Sequence, residues 1–329
     1  MSERLDPDGT PVLRALPDLG YGAANLGNLY RELTDDEARG VLEAAWDAGI
    51  RYYDTAPHYG LGLSERRLGA FLQTKPRDEY IVSTKVGHLL RPNPDPDPGL
   101  DLRHEFHVPA TLYRHWDFSG DGIRTGLAES LERLGLDRVD ILYLHDPEKH
   151  DLDAAVAEAL PAMAELRDEG VLGAVGVGSM VNASLTAAVT GPAKVDLIMI
   201  AGRYTLLEPS AADEVLPACH ERGTSAVAAS VFNSGLLANA RPSREGRYQY
   251  GALPEELWDR LQELVRVCDA HGVPLPAAAV QFPMREQAIV SVVVGGSRGD
   301  QVRQSAEWMR APIPEGFWND LRARGLVPA

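Results

Sequence analysis

The chain has 329 residues, 44% hydrophobic and 24% charged, a globular balance that excludes a disordered or fibrous polymer. Its 48 acidic against 32 basic side chains leave a formal charge of −16, a field that repels nucleic acid and anionic membranes but allows a local phosphate pocket. No run approaches the ~18 apolar residues of a membrane span, no secretory leader is expected at the MSERLDPDGT start, which lacks a basic start followed by an apolar core, and two cysteines, Cys219 and Cys268, suit a cytoplasmic chain without disulfides.

Strand-like apolar runs alternate with helical stretches along the chain. The first strand is expected at LGYGAAN (19–25). TDDE then opens a helix over 34–48, with Thr34 as N-cap, Glu37 completing a capping box and Gly49 as the stop. IRYYDT (50–55), a helix over 65–72 and YIVSTKV (80–86) follow. A helix over 122–134 precedes ILYLHD (141–146), and a longer one over 152–168 precedes LGAVGVG (172–178). DLIMIAG, SAVAAS and VSVVVGG, near Asp196, Ser225 and Ser291, complete eight strands. Continuous apolar strands separated by helices imply a parallel sheet covered by helices. Eight such units in this length imply a closed (β/α)8 TIM barrel, with residues 1–329 as a single domain. Two proline-rich stretches, 87–120 and 239–253, interrupt the rhythm after the third and seventh strands. They are expected as loops or disorder on the C-terminal face, where such barrels carry their active sites.

Familiar constellations are missing. There is no GxxxxGK[ST] loop, no GxSxG elbow and no CxxC, and Gly176-Val-Gly178-Ser-Met-Val lacks the third glycine of a dinucleotide fingerprint. His104 and His107 are spaced HxxH with His115 nearby, but no acid-rich ligand set accompanies them, so no metal is expected. What remains is a polar set at strand ends: Asp54 on the second, Tyr59 five residues on, Lys85 on the third and His145 on the fourth. A barrel gathers strand ends around one mouth. Ionisable groups there are costly unless paired or used, and an Asp–Lys pair closing a barrel layer is the plain alternative for two of them.

With these residues in place, the chain resembles the aldo-keto reductase superfamily. DTAPHYGLGLSERRLG, STKVG and ILYLHDPE match its motifs in order, and the likeness runs from about Leu19 to Leu326. AGRYTLLE, VFNSGLLA and HGVPLPAAAVQFP are similar to an aldose dehydrogenase branch that includes L-fucose and D-threo-aldose 1-dehydrogenases and pyridoxal 4-dehydrogenase. The resemblance implies that Asp54, Tyr59, Lys85 and His145 are the catalytic tetrad. The chemistry is coherent: Lys85, held by Asp54, lowers the pKa of Tyr59, which serves as general acid or base while His145 orients the substrate oxygen.

The resemblance also implies an NADP or NAD site. Ser179 stands where the family holds the nicotinamide amide, although the usual following asparagine is Met180 here. Phe232 takes the place of a stacking tyrosine. Gly296, Ser297, Arg298 and Gln301 fall to the phosphates, and Gln304 and Ser305 to the adenine end, in a loop one residue shorter than usual that leads into a helix N-terminus. Tyr30, His58, Trp116, Arg203 and Asn233 are expected to line the pocket of a small, polyhydroxylated substrate. The leading expectation is oxidation of a free aldose to a lactone. The alternatives are a biosynthetic reductase of a keto or aldehyde intermediate, and a non-catalytic cofactor-binding regulatory subunit.

Overall fold

The computed structural model describes residues 10–95, 97–248 and 251–328. Most of the N-terminal stretch on which the leader expectation rests lies outside them. Eight parallel strands close into a barrel: β1 (Leu19–Gly22), β2 (Tyr52–Asp54), β3 (Ile81–Val86), β4 (Ile141–His145), β5 (Ala174–Ser179), β6 (Leu197–Ala201), β7 (Ser225–Ala229) and β8 (Ile289–Gly295). β8 pairs back onto β1 with Leu19 opposite Val292 and Gly22 opposite Gly295, which closes the ring. The expected TIM barrel is therefore the observed fold.

Side chains alternate along each strand. Leu142, Leu144, Val175 and Val177 belong to the packing between sheet and helices. Tyr52, Tyr143, Leu197, Val227 and Val293 fill the interior, and Leu13 and Leu16 beside the short helix Pro11–Arg14 pack into the same cluster. That N-terminal plug carried no signal strong enough to be expected.

Local signals set the helix ends. Thr34 accepts from the Glu37 amide while Glu37 accepts from the Thr34 amide, so the capping box at helix Asp35–Asp47 is complete. The helix expected over 152–168 contains a π turn, Ala155–Ala159, just before Pro161. Proline has no N–H to donate back along the helix, and the wider turn accommodates the missing bond. Cys219 and Cys268 are buried on separate helices and unbridged.

The expectation for 87–120 needs correction. In its described residues, strand His88–Pro92 pairs antiparallel with Leu112–Trp116, Leu90 facing Arg114, so the segment is an insertion with its own strand pair. It docks on the β1 loop: the Tyr30 amide donates to Glu105 O and the His107 amide to Asn28 O. Pairing and docking satisfy backbone groups that a free loop would leave to water. The stretch 239–253 also holds a small antiparallel pair, Arg247–Tyr248 with Gly251–Ala252.

Candidate active site

Register builds the site from below. Tyr52, Ser83 and Tyr143 share an interior layer, with the Tyr52 hydroxyl 3.1 Å from Ser83 Oγ and 3.2 Å from the Tyr143 hydroxyl. Two residues further along the same strands, Asp54, Lys85 and His145 form the layer at the mouth. Lys85 Nζ donates to Asp54 Oδ2 at 2.6 Å, to the Thr55 carbonyl at 2.9 Å and to the Tyr59 hydroxyl at 3.2 Å. Ser83 Oγ donates to the other carboxylate oxygen of Asp54 at 2.7 Å. The His145 ring stands edge-on to Tyr59, centroids 5.7 Å apart. All four strand-end candidates are thus brought together.

The turn that carries Tyr59 is fixed by close backbone contact. Gly60 has φ +62°, and the backbone of Gly27 passes so near that a Cβ on Gly27 would lie 2.5 Å from the Tyr59 carbonyl carbon. Only a residue without a side chain permits that approach. Just beyond, Ser64 donates to the Ala23 carbonyl and pairs with Thr55, while buried Glu65 accepts from Thr84 at 2.7 Å and from Arg133. These bonds explain why serine and glutamate follow the tyrosine turn.

Burial opposes both members of the Tyr59–Lys85 pair. For Lys85, the Asp54 carboxylate and the Tyr59 contact outweigh burial and hold the ammonium pKa above its usual value. For Tyr59, burial is the larger effect, Lys85 pulls the other way, and the net pKa is pushed up to about 12. Lys85 pulls the Tyr59 pKa down as expected, but burial, which the sequence did not weigh, outweighs it and leaves a net rise. His145 is driven well below the usual imidazole value, chiefly by burial and then by Lys85, so it is neutral. Its Nδ1 has no partner.

A cavity of about 710 Å³ opens over this layer and runs to the N-terminus of helix Gly299–Arg310. The cofactor candidates Ser179, Phe232, Gly296, Ser297, Arg298, Gln301, Gln304 and Ser305 all line it. Several are already engaged. Ser179 Oγ donates to Glu148 at 2.8 Å and accepts from the Val181 amide. Gln301 accepts from the Ser297 amide, and Ser305 donates to the Gln301 carbonyl. Arg298, expected as a phosphate partner, makes two 3.0 Å bonds to Asp300 at an exposed position.

The substrate candidates divide. Tyr30, His58 and Asn233 line the cavity, and Asn233 Oδ1 is buried without a partner. Trp116 and Arg203 do not line it. The Trp116 ring packs against His88, centroids 3.7 Å apart, and stacks on His150 behind the wall. Arg203 donates to the Met180 carbonyl at 2.7 Å and pairs with Glu208, tying two mouth loops together. Its planar fork matches a carbonyl and a carboxylate already beside it, so it is a brace.

Sequence reasoning missed Asn25, Phe106, Asp146, Lys149 and Trp308, which also line the cavity, and weighed His104 only as a metal ligand. Asp146 and Lys149 directly follow a strand end, a signal that could have found them. His104 and Phe106 arrive through the docked insertion, and their neighbours in the chain gave no such signal. His104 lies edge-on to His58, centroids 5.3 Å apart.

Comparisons with known proteins agree with this geometry. The model of the aldo/keto reductase family matches residues 18–324. A D-threo-aldose 1-dehydrogenase from a Pseudomonas species is 65% identical over 98% of each chain. A pyridoxal 4-dehydrogenase from Microbacterium luteolum is 37% identical over 94% of each chain. The solved holo structure of an aldo-keto reductase from Bacillus halodurans superposes with a TM-score of 0.74 at 25% identity, covering 95% of this chain and 93% of that one.

Proposed function

The chain belongs to the aldo/keto reductase family, and from that membership we propose that it oxidises a free aldose at C1 to the lactone, using a nicotinamide cofactor. The observation that carries the reading is the buried Lys85 ammonium, which touches Asp54 on one side and the Tyr59 hydroxyl on the other, beside His145 at the cavity floor. The D-threo-aldose named for the Pseudomonas relative supports the substrate class.

The residues present fit a dinucleotide. Gly178 and Gly295 keep the floor open: a Cβ on Gly178 would stand 3.9 Å from Lys85 Cε, and one on Gly295 would stand 3.0 Å from Asn25 Oδ1. The N-terminus of helix Gly299–Arg310 suits the negative phosphates. Ser179 and Phe232 would hold the nicotinamide end, and Gly296 to Gln301 the phosphate end. A nicotinamide held there would supply the acceptor for the hydride of C1. Tyr59, as phenolate, takes the proton of the C1 hydroxyl, and that oxygen becomes the lactone carbonyl. His145, neutral and buried, holds the same oxygen by hydrogen bond. His58 and Asn233 offer partners to further hydroxyls, and a buried site of this kind rejects ligands that leave its polar groups unpaired.

One observation favours a second reading. With its pKa near 12, Tyr59 carries its proton at neutral pH, the form that donates to a carbonyl during reduction. A panel of aldoses, pyridoxine-type alcohols and simple aldehydes, assayed with NAD and NADP by nicotinamide absorbance, separates the two. Oxidation of at least one free aldose, lost in Tyr59→Phe by at least ~10²-fold in kcat, is the expected result. Efficient carbonyl reduction with no aldose or pyridoxine-type oxidation would establish the reductase instead.

A further inference from the structure

The docked insertion reaches the tyrosine turn through a buried arginine. Arg114 sits on strand Leu112–Trp116, and its side chain is only 7% exposed. Its guanidinium forks onto Asp101, Nη1 to Oδ1 at 3.2 Å and Nη2 to Oδ2 at 2.6 Å. Nη2 also donates to the His58 carbonyl at 2.8 Å. His58 is the residue before Tyr59, and the guanidinium carbon lies 5.9 Å from the Phe106 ring centre. Neither Arg114 nor Asp101 reaches the cavity.

Stability alone is a weak account of such a pair. Well-packed apolar side chains of similar volume usually serve a buried position as well as an ion pair does. What the pair does is join two separately encoded parts of the cavity wall. One is the turn carrying His58 and Tyr59. The other is the insertion carrying His104 and Phe106.

We propose that Arg114 is a positioning residue that clamps the His58–Tyr59 turn to the insertion, fixing the proton-transfer group against the substrate-facing wall of His104 and Phe106. The same charge adds to burial in lowering the pKa of the nearby histidines. Burial is the main effect lowering the pKa of His58, His88 and His104, and Arg114 is the next contributor for each. Lys149 adds to all three, His88 and His104 add at His58, His104 and His150 add at His88, Arg103 adds at His104, and Asp101 opposes at His104. The rings of Tyr59, Phe106 and His145 face His58 as well. A neutral imidazole donates at one nitrogen and accepts at the other, as a hydroxyl-rich ligand needs, whereas a protonated one only donates.

The kinetic half of this inference rests on the oxidoreductase reading, and the titration half does not. Arg114→Met/Asp101→Leu removes both charges and leaves no orphaned carboxylate. Arg114→Lys keeps the charge but not the fork. Histidine titration is followed by NMR of the imidazole C–H signals, and kcat and KM are measured with an aldose that the wild type oxidises. In the folded double variant, His58 and His88 should titrate at higher pH than in the wild type, because Arg114 lowers both and Asp101 offsets it at neither. Its kcat/KM should fall about 10²-fold, the scale of a ~1 Å misplacement, with kcat sharing the loss. Arg114→Lys should lose kcat while its imidazoles stay low. A folded double variant with unmoved titrations and kcat/KM within threefold of wild type overturns the clamp. If the double variant does not fold, unchanged kcat in Arg114→Lys overturns it. If the wild type oxidises no aldose, the functional reading fails, and unmoved histidine titrations alone then refute the clamp.

Discussion

Replacing Lys85 by Met tests the centre of the mechanism, because it removes the ammonium that touches Tyr59. The bond lost there is 3.2 Å long, and the Asp54 bond lost with it is 2.6 Å. At an effective dielectric of about 20, a charge pair at that separation is worth roughly 5 kcal/mol of phenolate stabilisation. That equals between about three and four pKa units at ~1.36 kcal/mol each. Tyr59 already stands near 12 with the ammonium in place. Without it the phenolate population at a fixed pH falls by about 10³–10⁴, and greater basicity of each phenolate recovers part of the loss. We therefore expect kcat for oxidation to drop by about 10²–10³-fold. Stability falls too, because Asp54 is 2% exposed and would be left as an unpaired buried charge, a defect of about 3–5 kcal/mol. The assay pairs nicotinamide absorbance with thermal melting, and Lys85→Met/Asp54→Asn serves as control. The double variant should recover melting temperature without recovering turnover. A folded Lys85→Met enzyme turning over within threefold of wild type would refute the argument.

Oxidation should accelerate about tenfold per pH unit between pH 7 and 10, because the phenolate fraction of a group titrating near 12 grows tenfold per unit below that point, while reduction stays flat; a flat oxidation profile would contradict this. Arg298→Ala should weaken NADP binding more than NAD in fluorescence titrations if Arg298 exchanges Asp300 for a 2′-phosphate; equal weakening moves it to the shared phosphates, and no change leaves it with Asp300. Gly27→Ala should displace the Tyr59 turn, since its Cβ would lie 2.5 Å from the Tyr59 carbonyl carbon, and cut kcat about 10²-fold in a folded protein; wild-type kcat would show that the turn tolerates the shift.

Much of the barrel was legible in the sequence, for local reasons. Apolar runs such as ILYLH and VSVVV mark strands covered on both faces, and TDDE marks a helix start by bonds made within four residues. Asp54, Lys85 and His145 were legible as well. A polar residue ending an apolar strand faces the mouth whenever the strands close in register, and parity along the chain decides which face it takes. Trp116 and Arg203 misled because chain position says where a loop begins but not where a long side chain turns. Arg203 found the Met180 carbonyl and Glu208, and Trp116 found two imidazoles.

The protonation state of Tyr59 was beyond the sequence for a different reason. The neighbouring lysine could be read from STKV, but desolvation sums over every atom that excludes water, and that total exists only in the folded barrel. His104 and Phe106 likewise joined the wall only when the 87–120 insertion docked on the β1 loop, a contact between distant segments that local pattern does not encode. The sequence by itself determined the strands, their helices and the polar residues at the strand ends. Tertiary structure alone decided which loop residues share the cavity and how strongly each buried group holds its proton, because both depend on packing between segments far apart in the chain.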